Sequence, residues 1–209
     1  MRNPTPGASP RLKARIAGAI YLVIFIVAPA GAATATAARM VITLTCDTGV
    51  ALIFYSLFKP VSRNLSMFAA IFRLILVAIM AVSSLNYFGA LNLFNAGHSS
   101  ATFNRGEEIS LVPFGIHCLL IGYLIFRSSF LPRILGVLMM FAGLGWVTFL
   151  SPAFANHLYP YILAPGILGE GALTLWLLVM GLNEQRWREQ ARAAGLLSPE
   201  KANVSGQAG

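Results

Sequence analysis

The sequence predicts an all-α, polytopic transmembrane helical bundle of six spans, with the amino and carboxyl ends both cytoplasmic. Three observations predict it. Apolar residues make up 57% of the 209 and charged residues only 11%, with a mean hydropathy of +0.72, whereas charged residues are about a quarter of an ordinary soluble domain. The apolar residues fall into six runs long enough to be spans. The basic residues collect on one side of those runs and almost vanish from the other. Six spans of about 20 residues use roughly 120 positions, leaving short loops and two tails but no second folded domain.

Residues 1–15 are rich in Pro, Gly and positive charge, a composition that builds no packed element and reads as a disordered cytoplasmic arm. The first span is expected at Ile16 to Ala33 and the second at Met40 to Phe58, joined by the small residues Thr34 to Ala38 as a tight helical hairpin. Lys59, Pro60 and Arg63 close the second span, and the third, Met67 to Phe94, is long enough to require tilt. After the polar stretch Asn95 to Glu108, the fourth span is placed at Ile109 to Phe126, the fifth at Ile134 to Leu150 and the sixth at Tyr159 to Leu182. Pro132 and Pro160 fall near helix starts, where their missing N–H costs nothing. The tail from Asn183 to Gly209 opens amphipathic and ends in a polar segment expected to be disordered.

Orientation follows from the side on which each Lys and Arg lies. Arg2, Arg11, Lys13, Arg15, Lys59, Arg63, Arg127, Arg133, Arg186, Arg188, Arg192 and Lys201 share one side, while Arg39 and Arg105 alone take the other. An odd number of spans breaks this split. A competing possibility is that the first run is a signal peptide, since Ala30 to Ala35 resembles a cleavage region. The length of the run and the second helix that follows it directly argue for a retained span. The net charge of +8 is thus assigned to topology and membrane anchoring, and no nucleic-acid partner is expected because no continuous basic stripe exists. Cys46 and Cys118 lie inside spans without a CxxC spacing, which implies neither a disulfide framework nor a zinc ribbon.

The informative residues are those that are costly in hydrocarbon: Asp47, Arg73, His117 and Glu170, one in each of spans two, three, four and six. A charge at mid-membrane costs about 2.5–3.5 kcal/mol on insertion scales, so these four should face the bundle interior. Helical phase gives each of them polar or small neighbours. Thr43 lies with Asp47, Ser84 and Tyr87 with Arg73, Ser110 and Pro113 with His117, and Gly166 and Thr174 with Glu170. Depth along the helices puts Asp47, His117 and Glu170 in one layer of the outer half. Arg73 has two open choices, to reach for Asp47 or to snorkel to the cytoplasmic headgroups. With His117 neutral the four carry one excess negative charge, so a titratable proton in the bundle follows as a hypothesis. The alternative is that they are paired and hold the helices in register.

Other signals are weaker. Asp47, His117 and Glu170 offer three metal-ligand types without a metal-binding spacing, so no metal is expected. His98 and His157 belong to outer loops. Gly136, Gly143, Gly145, Gly166, Gly169 and Gly171 read as close helix packing, and Tyr21, Trp146 and Trp176 as packing or interfacial anchors. No nucleotide, nucleophile-elbow or haem-attachment motif is present, and no cofactor is expected.

The stretches ARIAGAIYL (14–22), LFKPVSRNLSMFAAIFRLI (57–75), FGIHCLLIGYLIFRSSFLPRILGVLMMFAGLGW (114–146) and GEGALTLWLLVMGLN (169–183) together resemble the bacterial membrane-protein family known as domain of unknown function 4386. The most specific parts are Phe72-Arg73, His117-Cys118 and Gly169-Glu170. The resemblance implies a multi-pass protein of the bacterial cytoplasmic (inner) membrane and carries no established activity or catalytic residue. The chain departs from it in a very short first outer loop.

Three functions compete. The leading one is a small transporter or proton- or ion-handling protein, with the lipid bilayer as its setting and a homo-oligomer expected because six helices are few for alternating access. The second is a membrane-embedded enzyme acting on a lipid or quinone, with His117 as general base oriented by Asp47 or Glu170. The third is a non-catalytic scaffold or sensor subunit that uses the amphipathic segment GLNEQRWREQARAA (181–194) as a cytoplasmic contact, although Trp187 with Arg186, Arg188 and Arg192 suits anionic headgroups as well.

Overall fold

The computed structural model describes residues 9–27, 37–88, 100–158 and 160–197, and among these it is all helical, without a strand. The helices are α1 Pro10–Val27, α2 Ala37–Phe58, α3 Arg63–Tyr87, α4 Ser100–Arg127, α5 Arg133–Val147, α6 Pro152–Leu158, α7 Leu163–Val179 and α8 Glu184–Ala193, with a 3₁₀ turn Thr148–Leu150 continuing α5. Four segments are each long and apolar enough to cross a membrane: Ala37–Phe58, Arg63–Tyr87, Phe103–Arg127 and Arg133–Leu150. A fifth counts if α7 and α8 are joined across their 102° bend. This marks the chain as a multi-pass membrane protein. Among its described residues α1 carries Arg11, Lys13 and Arg15 in its first turns, which leaves it short of apolar length. Thr34 to Thr36 of the expected hairpin turn, the Ala30 to Ala35 segment, His98, the first residues of the arm and the end of the tail lie outside the described residues, while Ala37 and Ala38 of that turn already open α2.

Helix limits and apolar runs differ in informative ways. The polar stretch expected between spans three and four is helical from Ser100 onward, because α4 continues past its apolar run with Asn104, Arg105, Glu107 and Glu108 on it. Hydropathy measures contact with lipid, whereas a helix needs only its own backbone hydrogen bonds. The expected sixth run begins directly after α6 with a turn at 160–162, and the long helix starts only at Leu163. Pro132 does stand at a helix start, as the N-cap of α5.

Six long helices form a ring in chain order, α1–α2–α3–α4–α5–α7, closed by packing of α7 on α1. Neighbours alternate in direction. On α2, Arg39 donates to Val27 O at the far end of α1, while Arg15 at the near end of α1 donates to Val179 O at the end of α7. The described chain ends therefore share one end of the bundle with the 59–62 and 128–132 turns. Arg11, Lys13, Arg15, Lys59, Arg63, Arg127, Arg133, Arg186, Arg188 and Arg192 lie at that basic end.

Close packing is concentrated where glycines face backbone. On α4 a Cβ at Gly115 would stand 2.8 Å from Gly143 O and one at Gly122 2.7 Å from Gly136 O. On α5 the relation is reciprocal, with Gly143 at 2.7 Å from Gly115 O and Gly136 at 2.5 Å from Gly122 O. The two backbones touch at two levels, a contact that dispersion stabilises without help from a hydrophobic driving force in lipid. Gly18 on α1 meets Leu178 N of α7 in the same way, and Gly169 meets Leu138 O. Gly145 and Gly171 have ordinary space around them, so their expected role in close packing is not met.

The outer face is apolar, with Val41, Leu52, Phe141, Leu144, Leu168 and Leu175 all exposed, as a lipid-facing surface requires. The interior is where the charges are.

Candidate functional site

Each costly residue sits near the middle of its helix, roughly 13–17 Å from the basic end at about 1.5 Å per residue. Asp47 and His117 lie deeper than the apolar runs suggest, because α2 and α4 extend beyond those runs at the far end, whereas α7 begins inside its run and keeps Glu170 on the far side of its midpoint. Arg73 is 1% exposed and His117 fully buried.

Arg73 reaches for Asp47. Its Nε and Nη2 donate to the same carboxylate oxygen, Oδ1, at 2.9 and 2.6 Å. Among the described residues Asp47 Oδ2 takes no hydrogen bond, and the Asp47 side chain is 7% exposed. The third arm of the guanidinium, Nη1, stands 3.1 Å from His117 Nε2. A guanidinium can only donate, so Nε2 accepts. The other ring nitrogen, Nδ1, is 2.8 Å from Ala69 O, and a carbonyl can only accept. These two contacts fix a neutral imidazole with its proton on Nδ1.

Aromatic faces complete the cage. The Arg73 guanidinium lies 4.7 Å from the Tyr21 ring centroid and 5.3 Å from that of Phe114, so the cation rests between two π faces. The His117 ring is stacked between Phe54 and Phe114 at 6.3 and 6.1 Å.

Glu170 occupies a neighbouring position without touching Arg73. Trp146 Nε1 donates to its Oε1 at 2.7 Å and the Tyr21 hydroxyl donates to its Oε2 at 3.3 Å. Tyr21 thus joins the two halves, with its face to Arg73 and its hydroxyl to Glu170. The result is one connected cluster to which all six helices of the ring contribute: Tyr21, Asp47, Arg73, His117, Trp146 and Glu170.

The other polar positions are locally occupied or stand apart. Thr43 Oγ1 donates to Arg39 O, Ser84 Oγ to Met80 O and Ser110 Oγ to Glu107 O, all back-bonds within their own helices. Tyr87 packs on Phe88 and Phe103. Thr174 Oγ1, one turn from Glu170, is buried without a hydrogen-bond partner among the described residues. Among those residues no group of three or more His, Cys, Asp or Glu side chains is arranged to hold a metal ion.

Sequence reasoning missed Phe54, Phe114 and the Ala69 carbonyl, and assigned Tyr21 and Trp146 to packing or anchoring. For the last two a signal existed: a Tyr or Trp deep in a span has a polar atom that needs a partner.

No solved structure matches the chain. An uncharacterised protein of the archaeon Archaeoglobus fulgidus is 29% identical over 140 residues, covering 65% of this chain and 76% of that protein. The family model described as Domain of unknown function (DUF4386) matches residues 28–181, a stretch that holds every cluster residue except Tyr21, and the chain belongs to that family.

Proposed function

We propose that the protein is a six-span protein of the bacterial cytoplasmic membrane, with both ends cytoplasmic, that handles a proton or small cation at its mid-bundle cluster. The observation that carries this is the charge count. Two carboxyl groups face a single cation, His117 is held neutral by its two contacts, and only Asp47 touches Arg73. Glu170 is held by two uncharged donors. Its charge is therefore in surplus, and a surplus charge at this depth calls for a proton or a cation.

Tyr21 couples that event to the rest of the cluster. When Glu170 is ionised the tyrosine hydroxyl donates to it, and when Glu170 carries a proton the same hydroxyl can accept it. The exchange alters the hydroxyl that is tied to the ring under Arg73. The gathering of described basic residues at one end supports the orientation.

Purified protein reconstituted into liposomes that contain a pH-sensitive dye tests the proposal. Wild type should dissipate an imposed pH or cation gradient faster than empty liposomes, and Glu170→Gln should fall to the empty-liposome rate. Wild-type liposomes that behave like empty ones would overturn it.

The arrangement argues against the enzyme alternative. A general base needs a lone pair aimed at substrate, but both ring nitrogens of His117 are engaged and Asp47 serves Arg73 instead. The amphipathic tail is also committed: α8 packs under the bundle, where Trp187 Nε1 donates to Leu57 O at 2.8 Å.

A further inference from the structure

At the basic end, the start of α1, the 128–132 turn, the end of α7 and the start of α8 enclose a groove of about 540 Å³. Its frame is tied together by several bonds. Asn183 N donates to Phe130 O at 3.1 Å, Gln190 Oε1 accepts from both Ser129 N and Ser129 Oγ, and Arg186 Nη1 donates to Ser129 O at 3.3 Å. The chain turns from α7 to α8 at Gly181, whose φ of 70° favours glycine. A Cβ there would also press on the Arg11 side chain at 3.1 Å.

Two arginines, Arg11 and Arg186, line this groove. Among the described residues Arg11 makes no side-chain hydrogen bond or ion pair. The acidic residue in the lining, Glu184, is already neutralised, since its Oε1 accepts both Nε and Nη2 of Arg188. The groove is therefore net positive. Its other wall is apolar, with Trp176 and Met180, and leads onto the exposed Leu175 and Val179 face of α7. Cationic donors at one end with an apolar track running away from them match an anionic head attached to an acyl chain.

We propose that this groove binds the phosphate headgroup of an anionic glycerophospholipid, with Arg11 and Arg186 on the phosphate and the acyl chain along α7. A free phosphate would use the same arginines but gain nothing from the apolar wall. The proposal rests on the chain's lying in a bilayer and not on proton handling, so the flux result leaves it untouched.

The test is native mass spectrometry of the full chain in detergent, titrated with phosphatidylglycerol, phosphatidylcholine or inorganic phosphate. Phosphatidylglycerol should be retained in preference to phosphatidylcholine, and the Arg11→Gln/Arg186→Gln double variant should bind it about tenfold more weakly, as expected for the loss of charge-assisted hydrogen bonds. The charge-matched Lys59→Gln/Arg63→Gln variant, altered at the same end but outside the groove, should bind like wild type. Equal weakening in both variants, equal retention of the two lipids, or displacement of phosphatidylglycerol by low-millimolar inorganic phosphate would each overturn it. If the double variant fails to fold, Arg11→Gln alone should give an intermediate affinity, and an unchanged one counts against the proposal.

Discussion

Arg73 Nη1 stands 3.1 Å from His117 Nε2 while His117 Nδ1 stands 2.8 Å from the Ala69 carbonyl, so the imidazole is a neutral spacer between a cation and the backbone of α3. Nitrogen-15 spectra of histidine-labelled protein should show one ring protonated at Nδ1, and that signal should vanish in His117→Gln. A doubly protonated signature for this residue at neutral pH would refute the assignment.

The Asp47–Arg73 pair should be costly to break from either side. Asp47→Asn and Arg73→Gln are each expected to lose about 3–5 kcal/mol of stability, because each strands a buried charge. The double variant should lose clearly less than the sum. Unfolding of all three in one detergent measures the coupling, and additive losses would mean the pair does not interact.

Tyr21 has two separable roles. Tyr21→Phe keeps the ring on Arg73 and loses only the 3.3 Å bond to Glu170, a change of about 0.5–1.5 kcal/mol. Tyr21→Ala also opens a cavity and uncovers the guanidinium, and should cost about 3–5 kcal/mol. Equal losses in the two melting curves would show that the ring contributes nothing.

The glycine contacts make a graded prediction. Gly122→Ala and Gly143→Ala push α4 and α5 apart and should destabilise by about 1–3 kcal/mol. Gly171→Ala, whose Cβ would find its nearest atom at 3.9 Å, should be neutral or stabilise through helix propensity. Thermal melting of the three variants distinguishes the two outcomes.

Topology is testable with single cysteines in a background that lacks Cys46 and Cys118. Asn64→Cys and Gln185→Cys should react with an impermeant thiol reagent only from the cytoplasmic side, and Arg105→Cys and His157→Cys only from the opposite side. Reaction of Asn64→Cys and Gln185→Cys from different sides would rule out six spans.

How far the sequence disclosed this arrangement depended on what kind of interaction was at stake. The helical class was legible from apolar length, and the four costly residues stood out because lipid penalises charge regardless of neighbours. Which way Arg73 turned was not legible, since a long side chain at that depth can reach either a carboxylate or a headgroup. Phe54 and Phe114 were invisible because aromatic residues are ordinary in spans, and only their position around Arg73 and His117 distinguishes them. The early start of α4 was hidden for a related reason, since a helix that leaves the bilayer looks like a polar loop.

The ring closes where α7 meets α1, and the cluster draws on both helices. During synthesis α1 is made first and α7 last among the ring helices, so Tyr21 waits for Glu170 until the other five have been made. Until then Arg73 has Asp47 but lacks the Tyr21–Glu170 link, and an unfinished chain holds an open seam beside that mid-bundle cation. Arrival of α7 and completion of the polar cluster are therefore one event, and a product that stops short of α7 leaves the Tyr21 hydroxyl and the Trp146 indole without the carboxylate they hold.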